Sequence, residues 1–551
     1  MSTAMSRMVA EPNIDVITGD WLSEMNIAWN AITKKSNPSL GYEEGFYTQL
    51  SENIDTIITK GIRVVTNAGA LNTASLTSKV RDLLVLHGHQ NIVVAAVEGD
   101  DVSDLLRDPE RRRALNLSFP HLDDTDRTLE SWELTPFCGN AYLGCRGIVE
   151  ALAAGAQIVI CGRVTDASPV MGAAAWHFGR QFDDPAHLDR LAGALVAGHI
   201  IECGTYVTGA NFSGFKKFLP DLVDMAFPIA EIDAEGQVVI TKTSTGGGYV
   251  TPETVTAQIL YEIQGHLYLN PDVVADLSQI RAETEPNSEN RVRVSGITGL
   301  TPPSTTKVMF AAPGGFQAEA TFFMNGLDID SKASMMQNQL NYIFREHEFS
   351  KLSVEQYGSE TADADSQQAG TVQLRVFAQA RRREDIDARH FKLPIYALRM
   401  QSYPGYHMNL DFRTMDPKPF MEIFPATIPQ SIIEHRVEMG DGKYIAISPP
   451  RISTEYPIQR PSYETSHPIA LESLGPTTKA ALGKIVHARS GDKADNSNIG
   501  FFVRHKDEYA WLQTFLTAER LKLLFGQDWF KSDPDRRVER VEFPNLLSVH
   551  L

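Results

Sequence analysis

The sequence predicts an α/β protein: a large Rossmann-like domain on a mostly parallel sheet, an α+β portion attached to it, and a small C-terminal α+β domain. Three observations predict this. Over the first 200 residues, short apolar runs alternate with longer amphipathic stretches, the pattern of a parallel sheet with helices on its faces. From about residue 225 the pattern changes to alternating strands with hairpin turns. A proline-rich stretch at 449–480, without apolar period, then separates off residues 481–551.

The parallel strands are expected at "IDVIT" (14–18), "IRVVTN" (62–67), "IVVAAV" (92–97) and "QIVICG" (157–162), with helices between them. Two of those helices carry a C-terminal glycine: "GFYTQLSENIDTIITKG" ends on Gly61 and "NAYLGCRGIVEALAAG" on Gly155. The Rossmann-like part covers about 10–220. The α+β part, about 221–448, has strands at "VVITKT", "TKVMF", "AEATFFM" and "TVQLRVFAQ" and helical segments near 252–263, 331–346 and 383–391. Together they make one large domain, 1–448. After the 449–480 linker, the small domain reads strand (484–489), strand (498–504), helix (508–524) and two strands (537–542, 546–551), an open α+β sandwich.

Composition narrows the function. The chain has 551 residues and a formal charge of −18, which disfavours nucleic acid and anionic membranes as partners, so an anionic ligand needs local donors. No apolar run reaches 18 residues, and "MSTAMSRMVAEPNIDV" lacks a secretory stretch, so a cytoplasmic location is expected. Cys138, Cys145, Cys161 and Cys203 contain no C-x-x-C pair, which makes free thiols the expectation and leaves a zinc site unsupported. Neither G-x-G-x-x-G nor a Walker pattern is present. No cofactor is predicted and no residue is assigned to a metal, with a divalent ion left open.

In an open parallel sheet the ligand cleft lies beyond the carboxyl ends of the strands. Each predicted strand exit combines glycine with an amide, acid or guanidinium: Gly19 and Asp20; Asn67, Gly69 and Asn72; Glu98, Gly99, Asp100 and Asp101; Gly162, Arg163, Asp166 and Ser168. Four such exits favour a polar cleft. Arg163 offers a planar fork for a substrate carboxylate or phosphate; the alternative is that it pairs with Asp166 and holds the loop.

"AHLDRLAGALVAGHIIEC" has apolar residues at helical spacing and places His199, Glu202 and Cys203 on its last turn. A histidine one turn from a glutamate suits an oriented general base, and Cys203 beside His199 suits a nucleophile. The bland alternative pairs His199 with Glu202 and packs Cys203 as a small apolar residue.

Two loops are candidates for anion contact. "TKTSTGGGYVTPETV" turns Gly246, Gly247 and Gly248 ahead of a helix capped by Thr251, and such a loop either directs backbone N–H groups at an anion or is a plain flexible turn. "ARSGDKADNSN" holds Arg489, Asp492, Lys493, Asp495 and Asn498, more charge than a hairpin turn needs. It reads as a loop reaching into a cleft or interface, or as a solvated surface loop.

Taken together, "NAYLGCRGIVEALAAGAQIVICGRVTDAS", "AGHIIECGTYVTGANF" and "KIVHARSGDKADNSNIG" resemble the acyclic terpene utilisation (AtuA-like) family, nearly end to end. The resemblance implies a ferredoxin-like fold for 481–551 and a metabolic neighbourhood in the breakdown of acyclic terpenes such as citronellol and geraniol; it supplies no mechanism. Carried over by motif are Asn67, Gly69, Asn140, Tyr142, Glu150, Arg163, Asp166, His199, Glu202 and Cys203. Cys138 and Cys145 depart from the small residues usual there.

The expected function is a cofactor-independent lyase of the hydratase or dehydratase type, acting on a small carboxylate or acyl-CoA-type substrate. Asn67, Gly69, Asp100, Asn140, Tyr142, Arg163, Ser168, Thr208, Gly246–Gly248, Arg489, Asp492 and Lys493 would bind it; His199, Glu202 or Asp166 would move the proton. The alternatives are a hydrolase or acyltransferase using Cys203 with His199, and a noncatalytic assembly subunit of an acyl-CoA pathway. A homo-oligomer is expected, since the linker allows the small domain to cross to a neighbour.

Overall fold

The computed structural model describes residues 3–124, 126–440, 442–493, 496–532 and 536–551. Short apolar runs become strands β1 (Val16–Gly19), β2 (Arg63–Thr66), β3 (Val94–Glu98), β4 (Cys138–Ala141) and β5 (Ile158–Cys161). Four of them pair in parallel, in the order β1-β2-β5-β3, at the places expected from the sequence. Every residue of β5 is buried, as a central strand covered on both faces must be. β4 leaves this sheet and pairs with the strand Thr305–Met324.

The expectation of a mostly parallel large domain is corrected here. Among the described residues the parallel ladders join only those four strands, with isolated parallel bridges elsewhere; the hairpin Arg436–Glu438 and Tyr444–Ala446 closes the β3 edge antiparallel. The sheet that contains Pro228–Ile232 and Val238–Lys242 is antiparallel throughout, and so are the pairings of Val274–Asp276. The reason is connection length. A parallel pair needs a crossover of a dozen or more residues, which the helix-rich first 200 residues supply and the short turns after 225 do not. The protein is a mixed α/β structure of several sheets.

The chain forms two compact units, one of 1–132, 137–310 and 424–551, the other of 133–136 and 311–423. In the first, the helix Leu188–Ile201 is buried along Leu191–Ile200, because its sequence is apolar nearly all round. His199 is the polar exception in that run. In the second, Val372–Ala380 lies between Lys351–Tyr357 and Phe316–Met324, and the helix Ile329–Ile343 adds Met336 and Leu340 to a core with Phe322 and Phe391. "TKVMF" and "AEATFFM", expected as separate strands, are one strand, Thr305–Met324. Gly314 and Gly315 between them mark close approach: a Cβ there would lie 2.3 Å from the Phe420 ring and 2.2 Å from the Ala380 carbonyl.

At the C-terminal end, Val486–Lys493 and Asn496–Val503 form an antiparallel hairpin joined by Ser548–His550 and Val541–Phe543. The expected loop at 488–498 is therefore strand almost to its tip, with Arg489 opposite Gly500 and Gly491 opposite Asn498. Asp495 lies outside the described residues. The expected helix 508–524 breaks into Lys506–Phe515 and Ala518–Phe525, since the Thr517 side chain accepts from the Arg520 N–H and caps a new start. The proline-rich 449–480 stretch is tied down by Thr454 N–H to Pro302 O, Tyr456 OH to Thr301 O and Tyr463 N–H to Arg540 O. Among the described residues no helix is long and apolar enough to cross a membrane.

Candidate functional site

The exit of β5 delivers Arg163 and Asp166. Arg163 is fully buried; its Nη1 donates to Val164 O (3.0 Å) and Asp166 Oδ1 (2.7 Å), and its backbone N–H to Asp100 Oδ2 (2.9 Å). The guanidinium carbon stands 3.9 Å from the centroid of the Tyr142 ring. Of the two sequence alternatives for Arg163, the pairing with Asp166 is observed, on one edge of the guanidinium; on the other edge Nε and Nη2 are buried without a partner. That second edge is the one a carboxylate grips with two parallel hydrogen bonds.

The other exits support it. After β1, Asp20 accepts from Asn67 Nδ2 (2.6 Å), and Asn67 Oδ1 accepts the Trp21 N–H (2.7 Å). Burial, then the charges of Asp166 and Glu202, push the Asp20 carboxyl well above the usual range, against the pull of Arg163. After β3, Asp100 accepts from Asn140 Nδ2 (2.8 Å), and burial pushes it up to about 6. Gly162 and Gly69 are required by closeness: a Cβ would stand 2.3 Å from Asp100 Oδ1 and 2.5 Å from Cys161 O, respectively. Asn140 Oδ1 has no partner, and a cleft of about 400 Å³ opens between Asn72, Asp100, Asn140, Arg111 and Arg436.

His199 and Glu202 close the buried helix. Nδ1 of His199 lies 3.4 Å from Glu202 Oε1, with 3% and 4% of the side chains exposed. Both imidazole nitrogens and Glu202 Oε2 lack hydrogen-bond partners. Burial alone would lower the His199 pKa, but the Glu202 charge reverses this and the net shift is upward; burial likewise raises Glu202. Lys493, from the C-terminal hairpin, donates to Asp166 Oδ2 (2.6 Å) and Glu262 Oε2 (2.9 Å). Burial opposes ionisation of Asp166, yet Arg163 and Lys493 hold its carboxyl far below the usual range. Behind this, Tyr142 OH and Lys307 Nζ both donate to Glu24 Oε1, at 2.9 and 3.2 Å, and burial lowers Lys307 to about 8.

Arg163, Asp166, His199, Glu202, Tyr142 and Lys493 therefore converge, with Asn67, Asp100 and Asn140 as their supports. The other expected residues have different work. Thr208 donates to Thr205 O and Ala226 O, and the Gly246–Gly248 loop packs on the backbone of Thr208 and of Asp221–Ala226, a closeness that requires its glycines. Ser168 is within 2.5 Å of Thr165 Oγ1, which also accepts from Asn270. Gly69 shapes the β2 exit. Asp492 is exposed, on the opposite side of its strand from Lys493, and Glu150 is exposed on its helix. Arg489 lies between the rings of Tyr206 and Tyr261, at 4.5 and 4.3 Å, and donates to Asn211 O. Burial and the carboxylates of Glu202 and Glu262 raise the Cys203 thiol, opposing the thiolate a nucleophile requires.

Glu24, Glu262, Lys307 and Tyr268, whose ring centroid stands 5.1 Å from that of His199, were not foreseen. Glu24 follows the capping Ser23 and reads as an ordinary first-turn acid; Glu262 and Lys307 follow a helix and sit in a strand with no local motif around them. The cluster brings together a buried guanidinium edge without a partner, an imidazole–carboxylate pair and a carboxyl raised well above its usual range.

Two family models match the chain: Acyclic terpene utilisation family protein AtuA over residues 1–439, and AtuA ferredoxin-like domain over 480–551. No curated protein and no solved structure matches it.

Proposed function

The chain belongs to the acyclic terpene utilisation family, and from that premise we propose that it is a lyase of the hydratase or dehydratase type acting on a small carboxylate or its acyl thioester. One observation carries the reading: the buried Nε and Nη2 of Arg163 lack partners in the same cluster as an imidazole with two unpartnered nitrogens. Buried donors and acceptors are nearly always satisfied, so these atoms point to a polar occupant.

In this reading Arg163 holds the substrate carboxyl or carbonyl oxygen, and the developing enolate charge spreads toward the guanidinium. His199, kept basic by Glu202, takes the proton from the carbon next to the carbonyl. Asp20, held protonated, gives its proton to the hydroxyl on the following carbon; that C–O bond breaks, water leaves and the double bond forms. Hydration runs the same transfers backward. Asp166, with both oxygens engaged, positions Arg163 and Lys493 and moves no proton.

The test is deuterium exchange. A panel of 3-hydroxy acids, α,β-unsaturated acids and their coenzyme A thioesters is incubated with the protein in D₂O, and exchange next to the carbonyl is followed by NMR. Exchange by the parent chain that is lost in His199→Ala and Asp20→Ala supports the assignment. Equal exchange in His199→Ala, or none with any member of the panel, removes it.

A further inference from the structure

Three carboxylates from three separate segments meet beside the guanidinium edge. One oxygen each from Asp166, Glu202 and Glu262 lies within 4.8 Å of the other two. Oxygens bound to one ion can be no farther apart than twice the metal–oxygen distance, about 4.8 Å for calcium. The spacing is therefore within the reach of a single calcium-sized cation.

An acidic cluster alone would carry little, but its neighbours are incomplete in a specific way. His199, whose side chain is 3% exposed and whose Nδ1 is 3.4 Å from Glu202, has no hydrogen-bond partner on either nitrogen, and Glu202 Oε2 has none either. A hydrated cation supplies both deficits: positive charge for the free oxygen and ordered water for the imidazole. Charge points the same way. Even with Asp20 counted as neutral, the carboxylates of Glu24, Asp166, Glu202 and Glu262 outnumber the cations Arg163, Lys307 and Lys493 that act on them. A divalent ion in place of one ammonium brings the cluster nearer to neutrality.

The ammonium to be replaced is already at the site. Lys493 bonds two of the three acids, and its side chain, 25% exposed at the end of a hairpin strand, has a way out to solvent. We propose that Asp166, Glu202 and Glu262 form a divalent-cation site for which the Lys493 ammonium competes. Ion binding needs no turnover, so this inference goes beyond the lyase reading and survives its failure.

The experiment uses the full chain stripped with EDTA and titrated with Mn²⁺, free Mn²⁺ being read from its paramagnetic resonance signal. The expected result is one saturable site in the parent protein, weakened about tenfold or more by Glu262→Gln and by Glu202→Gln, and tightened by Lys493→Met, which removes the competitor. The gain in Lys493→Met keeps the test decisive should a carboxylate variant fail to fold. No saturable Mn²⁺ binding by the parent or by Lys493→Met, or binding unchanged in a folded Glu262→Gln protein, overturns the proposal.

Discussion

Lys493 Nζ donates to Asp166 Oδ2 at 2.6 Å across 327 positions of sequence. The C-terminal hairpin thereby ends among the strand exits of the first sheet, within one compact unit. Replacing Lys493 by Met removes one of the two cations that hold the Asp166 carboxyl below its usual range. A carboxyl lowered on folding contributes stability that is present above its unfolded pKa and is lost as pH falls through the folded value. The deficit of the variant should be about 1–3 kcal/mol near pH 7 and should shrink as pH falls below about 4, as urea unfolding at neutral and at acid pH will read. Equal deficits would contradict the pairing.

Arg163→Lys keeps a charge for Asp166 but has no second edge. For any substrate found by exchange, KM should rise about tenfold or more while kcat changes less, because a two-point grip on the anion is lost. An unchanged KM would mean that the free edge of Arg163 meets no substrate oxygen.

Because the Glu202 charge is what lifts His199 against burial, Glu202→Gln should lower the imidazole pKa. The His199 ring-proton shift, titrated by NMR in both proteins, measures this without any substrate. If catalysis follows the proposed route, the acidic limb of the pH–rate profile moves to lower pH in the same variant. A titration that stays put would separate the two side chains.

Asp100 titrates at about 6 in the folded chain, above an ordinary aspartate. Its proton is held more tightly in the native state, so stability that is full below about pH 4 is lost as pH rises through 6. Asp100→Asn should shrink the fall in unfolding free energy between those limits by about 2 kcal/mol, while an amide oxygen still accepts the Arg163 N–H. An identical fall in both proteins would place the titration elsewhere.

Cys203 should resist alkylation. With its thiol raised by burial and two carboxylates, iodoacetamide at pH 8 should modify it far more slowly in the folded protein than after unfolding, as intact mass will show. Cys203→Ser should retain any exchange activity. Rapid labelling would restore the nucleophile alternative.

The legible part of this molecule was local. β1, β2, β3 and β5 stand where apolar runs end in glycine and polar residues, and Arg163, Asp166 and Asp100 follow from that pattern, since a parallel strand fixes where its exit points. His199 and Glu202 follow from helical spacing. Glu262, Lys307 and Glu24 do not, because they reach the cluster only through tertiary packing of a helix end, an antiparallel strand and a first-turn acid. The hairpin of Lys493 was hidden for another reason: its glycine and charges resemble a loop, whereas backbone pairing with Asn496–Val503 holds them in strand. The tight backbone packing that requires Gly246–Gly248 was not legible either, because a run of glycines before a helix looks the same whether or not other backbone lies against it.

The long-range clasp of the hairpin onto the β5 exit has a consequence during biosynthesis. A ribosome adding about 5–20 residues per second takes on the order of 15–65 s to travel the 327 positions from Asp166 to Lys493. For that interval Asp166 and Glu262 emerge with no ammonium to join them, and the nascent chain carries an unfinished acidic hollow. Final closure waits for the last strands to leave the exit tunnel, so the polypeptide matures late and as a whole.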